Sequence, residues 1–300
     1  MPRERPCLGR MHVGADPRPS LVQDQQVSGV GTVGAMTITS NAEVNDLVAD
    51  IQTSLRELLG ETLVGIYIFG SLASKSFDPG VSDLDLLVVT SAPLIEADYA
   101  KLLQMHAVLV SRFKQWDDRI EVAYLSRDAL KTFREKTSEI GIVSPGEPFH
   151  RVAAGSEWLM NWYDVRENAI IVSGPDPKTL IEPISHSELN ACIHEYTKLF
   201  PERLRHNLRR GSDAYAVLTM CRSLYTKLMG TPTTKKRAAQ WAISKYPQWR
   251  HLIADAQKWR LAADNEGANS PEVHAQVEAF VSFTIRILGG ELSEEGAPRG

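Results

Sequence analysis

Two hydrophobic periodicities run along the chain, and they change places near its middle. Val44, Leu47, Val48, Ile51, Leu55, Leu58 and Leu59 recur at helical spacing behind Ser40 or Asn41 as cap, which predicts an amphipathic helix laid on a sheet. Ile66-Tyr67-Ile68-Phe69 then reads as an apolar strand delivering the chain to Gly70-Ser71, and a second strand opens with Asp83-Leu84-Asp85. Residues 92–113 read as a helix, and residues 117–126 as a third strand, with Ile120, Val122 and Tyr124 on one face and Glu121 and Ala123 on the other. The stretch after it is loop-like through Ser144-Pro145-Gly146, and residues 159–177 end in a strand-like piece and a Gly174-Pro175 turn. From Ser187 onward the period is helical. Segments at 187–208, 213–230, 233–247 and 271–290 carry helix signals, among them Gly230 as a stop, Thr233 or Thr234 as a cap, and Pro271 and Gly289 at the ends of the last. An α/β half with a small mixed sheet, followed by an all-α bundle, is the expected architecture.

Composition adds boundaries. Residues 1–35 are rich in Pro, Gly, Arg and Gln without sustained periodicity and are expected to form a disordered leader, so that Met36 could serve as the start of the fold. The expected division is a leader over 1–35, a catalytic domain over 36–180, a helical domain over 181–290 and a flexible tail over 291–300. A net charge of −4 supplies no basic excess to neutralise phosphates, which argues against a nucleic-acid-coating surface. Cys7, Cys192 and Cys221 are scattered, with neither C-x-x-C nor zinc spacing, as expected of reduced thiols in a cytoplasmic protein. No apolar run approaches the roughly eighteen residues a membrane span needs. A monomer is expected.

The chemistry gathers at residues 66–90. Strand side chains alternate, so Asp83 and Asp85 share a face while Leu84 and Leu86 point into the core. Two carboxylates so placed repel unless a cation lies between them, an arrangement suited to Mg²⁺ against a triphosphate. The small Gly70-Ser71 turn lets a backbone N–H and the Ser71 hydroxyl approach phosphate oxygens. Either motif alone is common on solvated turns and strands. Their conjunction, with eleven residues between Ser71 and Asp83, resembles the nucleotidyltransferase superfamily with a polymerase-β-like palm. That resemblance implies a third carboxylate on the strand after the following helix. Glu121 occupies that place and is the candidate general base.

A second block narrows the family. VLTMCRSLYTKLMGTPTTKKRAAQWAISKYPQW, residues 217–249, resembles the C-terminal domain of the aminoglycoside (3'')(9)-O-adenylyltransferases. This resemblance spans about residues 45–287 and implies Mg²⁺-dependent transfer of AMP from ATP to a hydroxyl of a small acceptor, an aminoglycoside or aminocyclitol such as streptomycin or spectinomycin, conferring resistance. By match, Arg222 and Lys235 become contacts to the ATP phosphates, and Ser82 stands at the Ser before the D-x-D. The family's acidic substrate position falls on Ser212, which leaves Asp213 as the candidate acceptor contact, with Trp158 as a candidate aromatic one. The neighbourhood is basic, with Arg203, Arg205, Arg209 and Arg210, so the alternative is a nucleotidyltransferase acting on a different small molecule, a protein or tRNA.

Overall fold

The computed structural model describes residues 38–144, 147–262 and 267–295, so the expected leader and Met36 lie outside the described residues. Helix α1 (Ala42–Leu59) starts at Asn41, whose side chain accepts from the Val44 N–H, and buries Val44, Leu47, Val48, Ile51, Leu55 and Leu59. Strand β1 (Leu63–Phe69) leads through a one-turn helix α2 (Gly70–Ala73) and a loop to β2 (Leu84–Thr90). Helix α3 (Glu96–Arg112) carries the chain across to β3 (Ile120–Ser126), the short α4 (Arg127–Thr132) follows, and β4 (Ser138–Ser144) and β5 (Glu147–Ala154) form a hairpin. Helix α5 (Leu159–Asn168) then precedes β6 (Ile170–Ser173).

The strands form one six-stranded sheet ordered β5-β4-β3-β2-β1-β6. Only β2 and β3 pair in parallel; β1/β2, β1/β6, β3/β4 and β4/β5 are antiparallel. A parallel pair needs a crossover, and α3 supplies it. Alternation sorts the sheet's side chains between two cores. Ile66, Ile68, Leu84, Leu86, Ile120 and Val122 pack with α1 and α3 on one face. Tyr67, Leu87, Val89, Ala123 and Leu125 pack on the other with Trp158, Leu159 and Trp162.

The helical half comprises α6 (His186–Thr197), α7 (Phe200–His206), α8 (Arg210–Met229), α9 (Lys235–Lys245), α10 (Arg250–Leu261) and α11 (Pro271–Leu288). Its caps are largely those the sequence signals: Gly230 closes α8 at φ 76°, Thr234 caps α9, and Ser270 before Pro271 caps α11. The capping box at the start of α6 is Ser185 with Glu188, two residues upstream of the start read from the sequence. Ala216, Val217, Met220, Cys221 and Leu224 of α8 form the centre of the core that the other helices surround. Among the described residues no helix is long and apolar enough to cross a membrane.

Candidate active site

Strand register creates the site. Phe69, the last residue of β1, lies opposite Asp85 of β2, so the turn that follows Phe69 folds over the Asp85 carboxylate. Gly70 adopts φ +67°, and a Cβ there would stand 2.0 Å from Asp85 Oδ2. Both the backbone and the space require glycine. The Gly70 N–H donates to Asp164 Oδ2 of α5 at 2.9 Å, and the Ser71 backbone N–H donates to Asp85. Ser71 Oγ is buried and makes no hydrogen bond. Gly70→Ala is therefore expected to displace Asp85, lowering turnover at least tenfold while costing about 1–2 kcal/mol of stability. Steady-state kinetics with a thermal melt measures both, and near-normal turnover would show that the close approach is dispensable.

The parallel pairing of β2 with β3 sets Asp85 directly beside Glu121. Glu121 is buried, and Asp83, one residue before β2, is 9% exposed. No three acidic, His or Cys side chains among the described residues converge as a ready-made metal cage. The Asp83/Asp85 pair still fits Mg²⁺, which binds through one or two carboxylates and takes its remaining ligands from phosphates and water. Asp83 Oδ1 supports the fit, being buried without a hydrogen bond. Desolvation pushes the Asp83 carboxyl up to about 7, opposed by the Lys235 and Arg119 charges. Desolvation also raises Asp85, assisted by the charges of Asp83 and Asp164. Two buried carboxylates that raise each other's pKa ionise readily only when positive charge comes close to both.

Positive charge reaches this pair from the helical half. Lys235 opens α9, and desolvation, followed by the Arg260 and Arg222 charges, lowers its amine to about 7 against the pull of Asp83 and Asp85. The Lys235 ammonium also lies 5.7 Å from the centre of the Tyr215 ring. Arg222 Nε donates to the Thr233 carbonyl at 3.1 Å, fixing the turn that presents Lys235. Ser82 Oγ accepts the Asp78 N–H at 3.0 Å, and Arg119 donates to the Ser82 carbonyl, so Ser82 braces the loop entering Asp83.

The structure thus brings Gly70, Ser71, Ser82, Asp83, Asp85, Glu121, Arg222 and Lys235 into one neighbourhood, and treats Asp213 and Trp158 differently. Asp213 is fully buried, with its oxygens accepting from Asn269 Nδ2 at 2.8 Å and bonded to His274 Nδ1 at 2.9 Å. It ties the start of α8 to α11 and the residues before it, and its side chain neither caps α8 nor lies open to a ligand. Asp213→Asn should cost about 1–3 kcal/mol of stability, read as a melting shift of several degrees, with the acceptor KM unmoved. A tenfold rise in KM at unchanged stability would instead make it a substrate contact. Trp158 is 1% exposed and stacks on Trp162, ring centres 5.4 Å apart, as a core residue. In the basic stretch, Arg203 lies over the Tyr196 and Phe200 rings and exposed Arg205 pairs with Glu202.

Asp164 escaped the sequence reading. It lies in a helix beside two tryptophans with no motif around it, and meets Gly70 only through a contact 94 residues long.

Comparison with known proteins supplies the context. Residues 48–142 match the model of the nucleotidyltransferase domain, and residues 179–286 that of the aminoglycoside adenylyltransferase C-terminal domain. An aminoglycoside (3'')(9) adenylyltransferase of Shigella flexneri is 24% identical over 264 residues, 79% of this chain and 94% of that protein. A spectinomycin 9-adenylyltransferase of Staphylococcus aureus is 21% identical over 252 residues, 76% of this chain and 89% of that one. The crystal structure of a spectinomycin adenylyltransferase from Enterococcus faecialis with ATP and spectinomycin superposes with a TM-score of 0.63 at 21% identity, covering 81% of this chain and 98% of that one.

Proposed function

Since this chain is a nucleotidyltransferase whose two halves match a nucleotidyltransferase domain and the C-terminal domain of the aminoglycoside adenylyltransferases, we propose that it transfers AMP from ATP to a hydroxyl of an aminoglycoside or aminocyclitol antibiotic. The observation that carries this reading is the register that sets Asp85 beside Glu121, with Asp83 Oδ1 buried and unbonded and Lys235 facing the pair.

Asp83 and Asp85 would hold Mg²⁺, which when bound offsets the charge of the triphosphate and of the departing pyrophosphate. The Gly70-Ser71 turn lies against the phosphates, and the Ser71 hydroxyl supplies a donor already desolvated in the free protein. Lys235 and Arg222 approach from the other side. Phosphate oxygens beside Lys235 would return its amine to the charged form that burial now disfavours. Glu121 takes the proton of the acceptor hydroxyl as its oxygen bonds to the α-phosphorus, and the bond from that phosphorus to pyrophosphate breaks.

An acceptor recognised by the basic stretch is the weaker reading, because Arg203 and Arg205 are already engaged with neighbouring rings and Glu202. Incubation with Mg·ATP and a panel of hydroxylated antibiotics tests the proposal. Pyrophosphate release should depend on an aminoglycoside or aminocyclitol and stop with EDTA. Release driven only by neutral or anionic acceptors would overturn the assignment of the acceptor.

A further inference from the structure

Arg260, the penultimate residue of α10, reaches out of the helical half to Asp78, in the loop between Ser71 and Asp83, with its Nη1 2.5 Å from Asp78 Oδ2 across 182 residues of sequence. The Asp78 end is well anchored. Its carbonyl accepts the Val81 and Ser82 N–H groups and its own N–H donates to Ser82 Oγ, so the guanidinium is held on a loop fastened to the residue before Asp83. Arg260 is also near enough for its charge to act on both Asp83 and Lys235. Its side chain is 22% exposed, whereas that of Asp78 is 46% exposed. The carboxylate therefore stands at the wet edge while the cation reaches inward. A guanidinium so placed, close to Lys235 and to Asp83, has a better partner in a triphosphate than in one half-exposed carboxylate.

We propose that Arg260 is an additional phosphate-binding cation of this site, held on Asp78 in the free protein and exchanged onto the triphosphate when ATP binds. The inference rests on the reading of the site as one that binds ATP. The exchange leaves behind a half-exposed carboxylate that water can solvate, so it costs little, and what Arg260 gains on phosphate is a charge-assisted bond in a partly desolvated cleft. Asp78 then acts as a competitor for the cation. The two partners of one salt bridge should consequently affect ATP in opposite directions.

Equilibrium binding of Mg·ATP and of AMP to the wild type, Asp78→Asn, Arg260→Gln, Arg260→Lys and the double variant Asp78→Asn/Arg260→Gln tests this, with a melt of each. Arg260→Gln should raise the ATP Kd roughly tenfold or more, with Arg260→Lys between it and the wild type. Asp78→Asn should lower the ATP Kd by up to about fivefold, since the competing carboxylate it removes is half-exposed and partly screened by water. The double variant should resemble Arg260→Gln, and AMP, which lacks the outer phosphates, should bind all five alike. If Asp78→Asn and Arg260→Gln weaken ATP together, or neither moves it, the pair is a strut between the two halves and the proposal is overturned. A wild type that binds no Mg·ATP would overturn the adenylyltransferase reading itself.

Discussion

Asp85→Asn, or Asp83→Asn, is expected to abolish AMP transfer while making the metal-free protein more resistant to heat at pH 8. The two effects share one cause. Burial and mutual repulsion make ionisation of these carboxylates unfavourable in the fold, and that unfavourable charge is what would hold Mg²⁺. Because their folded-state pKa values are raised, the folded protein binds more protons than the unfolded chain from the ordinary carboxylate range near 4 up to about 7 for Asp83 and about 8 for Asp85. Stability must fall as pH rises through that window. Asparagine removes the slope, so the gain over wild type should be absent near pH 4 and largest at pH 8, on the order of 1–2 kcal/mol and a few degrees in Tm. Lys235, whose pKa is lowered, works in the opposite sense above about pH 7, where the unfolded chain binds the extra proton. Melts of the metal-free wild type and variants at pH 4, 6 and 8, with turnover measured in saturating Mg·ATP, check both halves. A variant with near-normal turnover removes the pair from the mechanism, and a variant that melts lower at pH 8 shows that the carboxylates serve the fold.

Glu121→Gln should lower kcat by roughly 10²- to 10⁴-fold, the usual worth of a general base, and leave ATP affinity close to wild type. Glutamine preserves the volume of a side chain buried in β3 and removes its ability to take a proton. Glu121 lies beside Asp85, so a structural or metal-holding role is the competing explanation, and the two separate cleanly. Loss of ATP affinity with unchanged kcat at saturation would assign Glu121 to the metal or the fold.

The palm was legible because its signals are local. Alternation in residues 83–90 puts Asp83 and Asp85 on one face, whereas Glu121 was placed with them through the family resemblance and meets Asp85 by the pairing of β2 with β3. The β4–β5 hairpin was not read, its first strand passing as loop through Gly146 and its second left unassigned, because Gly141 and Pro148 interrupt the strands and β5, at the sheet edge, leaves much of its surface exposed. Helix α10 carries no capping side chain and follows a 3₁₀ turn at Pro247–Trp249, so no start signal marked it. Asp164 and Arg260 are invisible for a different reason. Their roles come from partners 94 and 182 residues away, and nothing in the local sequence of either points to such a contact. Asp213 is a further case in which distant partners, and not the local sequence, set a side chain's surroundings. A charged residue near a helix start looked available to a ligand, yet Asn269 and His274 had already claimed it.

Mass spectrometry of spectinomycin and streptomycin after incubation with Mg·ATP, run in parallel with wild type and Asp85→Asn, tests the central claim most directly. The account predicts that the wild type yields at least one of the two drugs heavier by one AMP, with one pyrophosphate released per drug modified, and that Asp85→Asn yields neither product. Unmodified drugs after exhaustive incubation with a wild type that binds Mg·ATP, or an adduct that Asp85→Asn forms equally well, would contradict it.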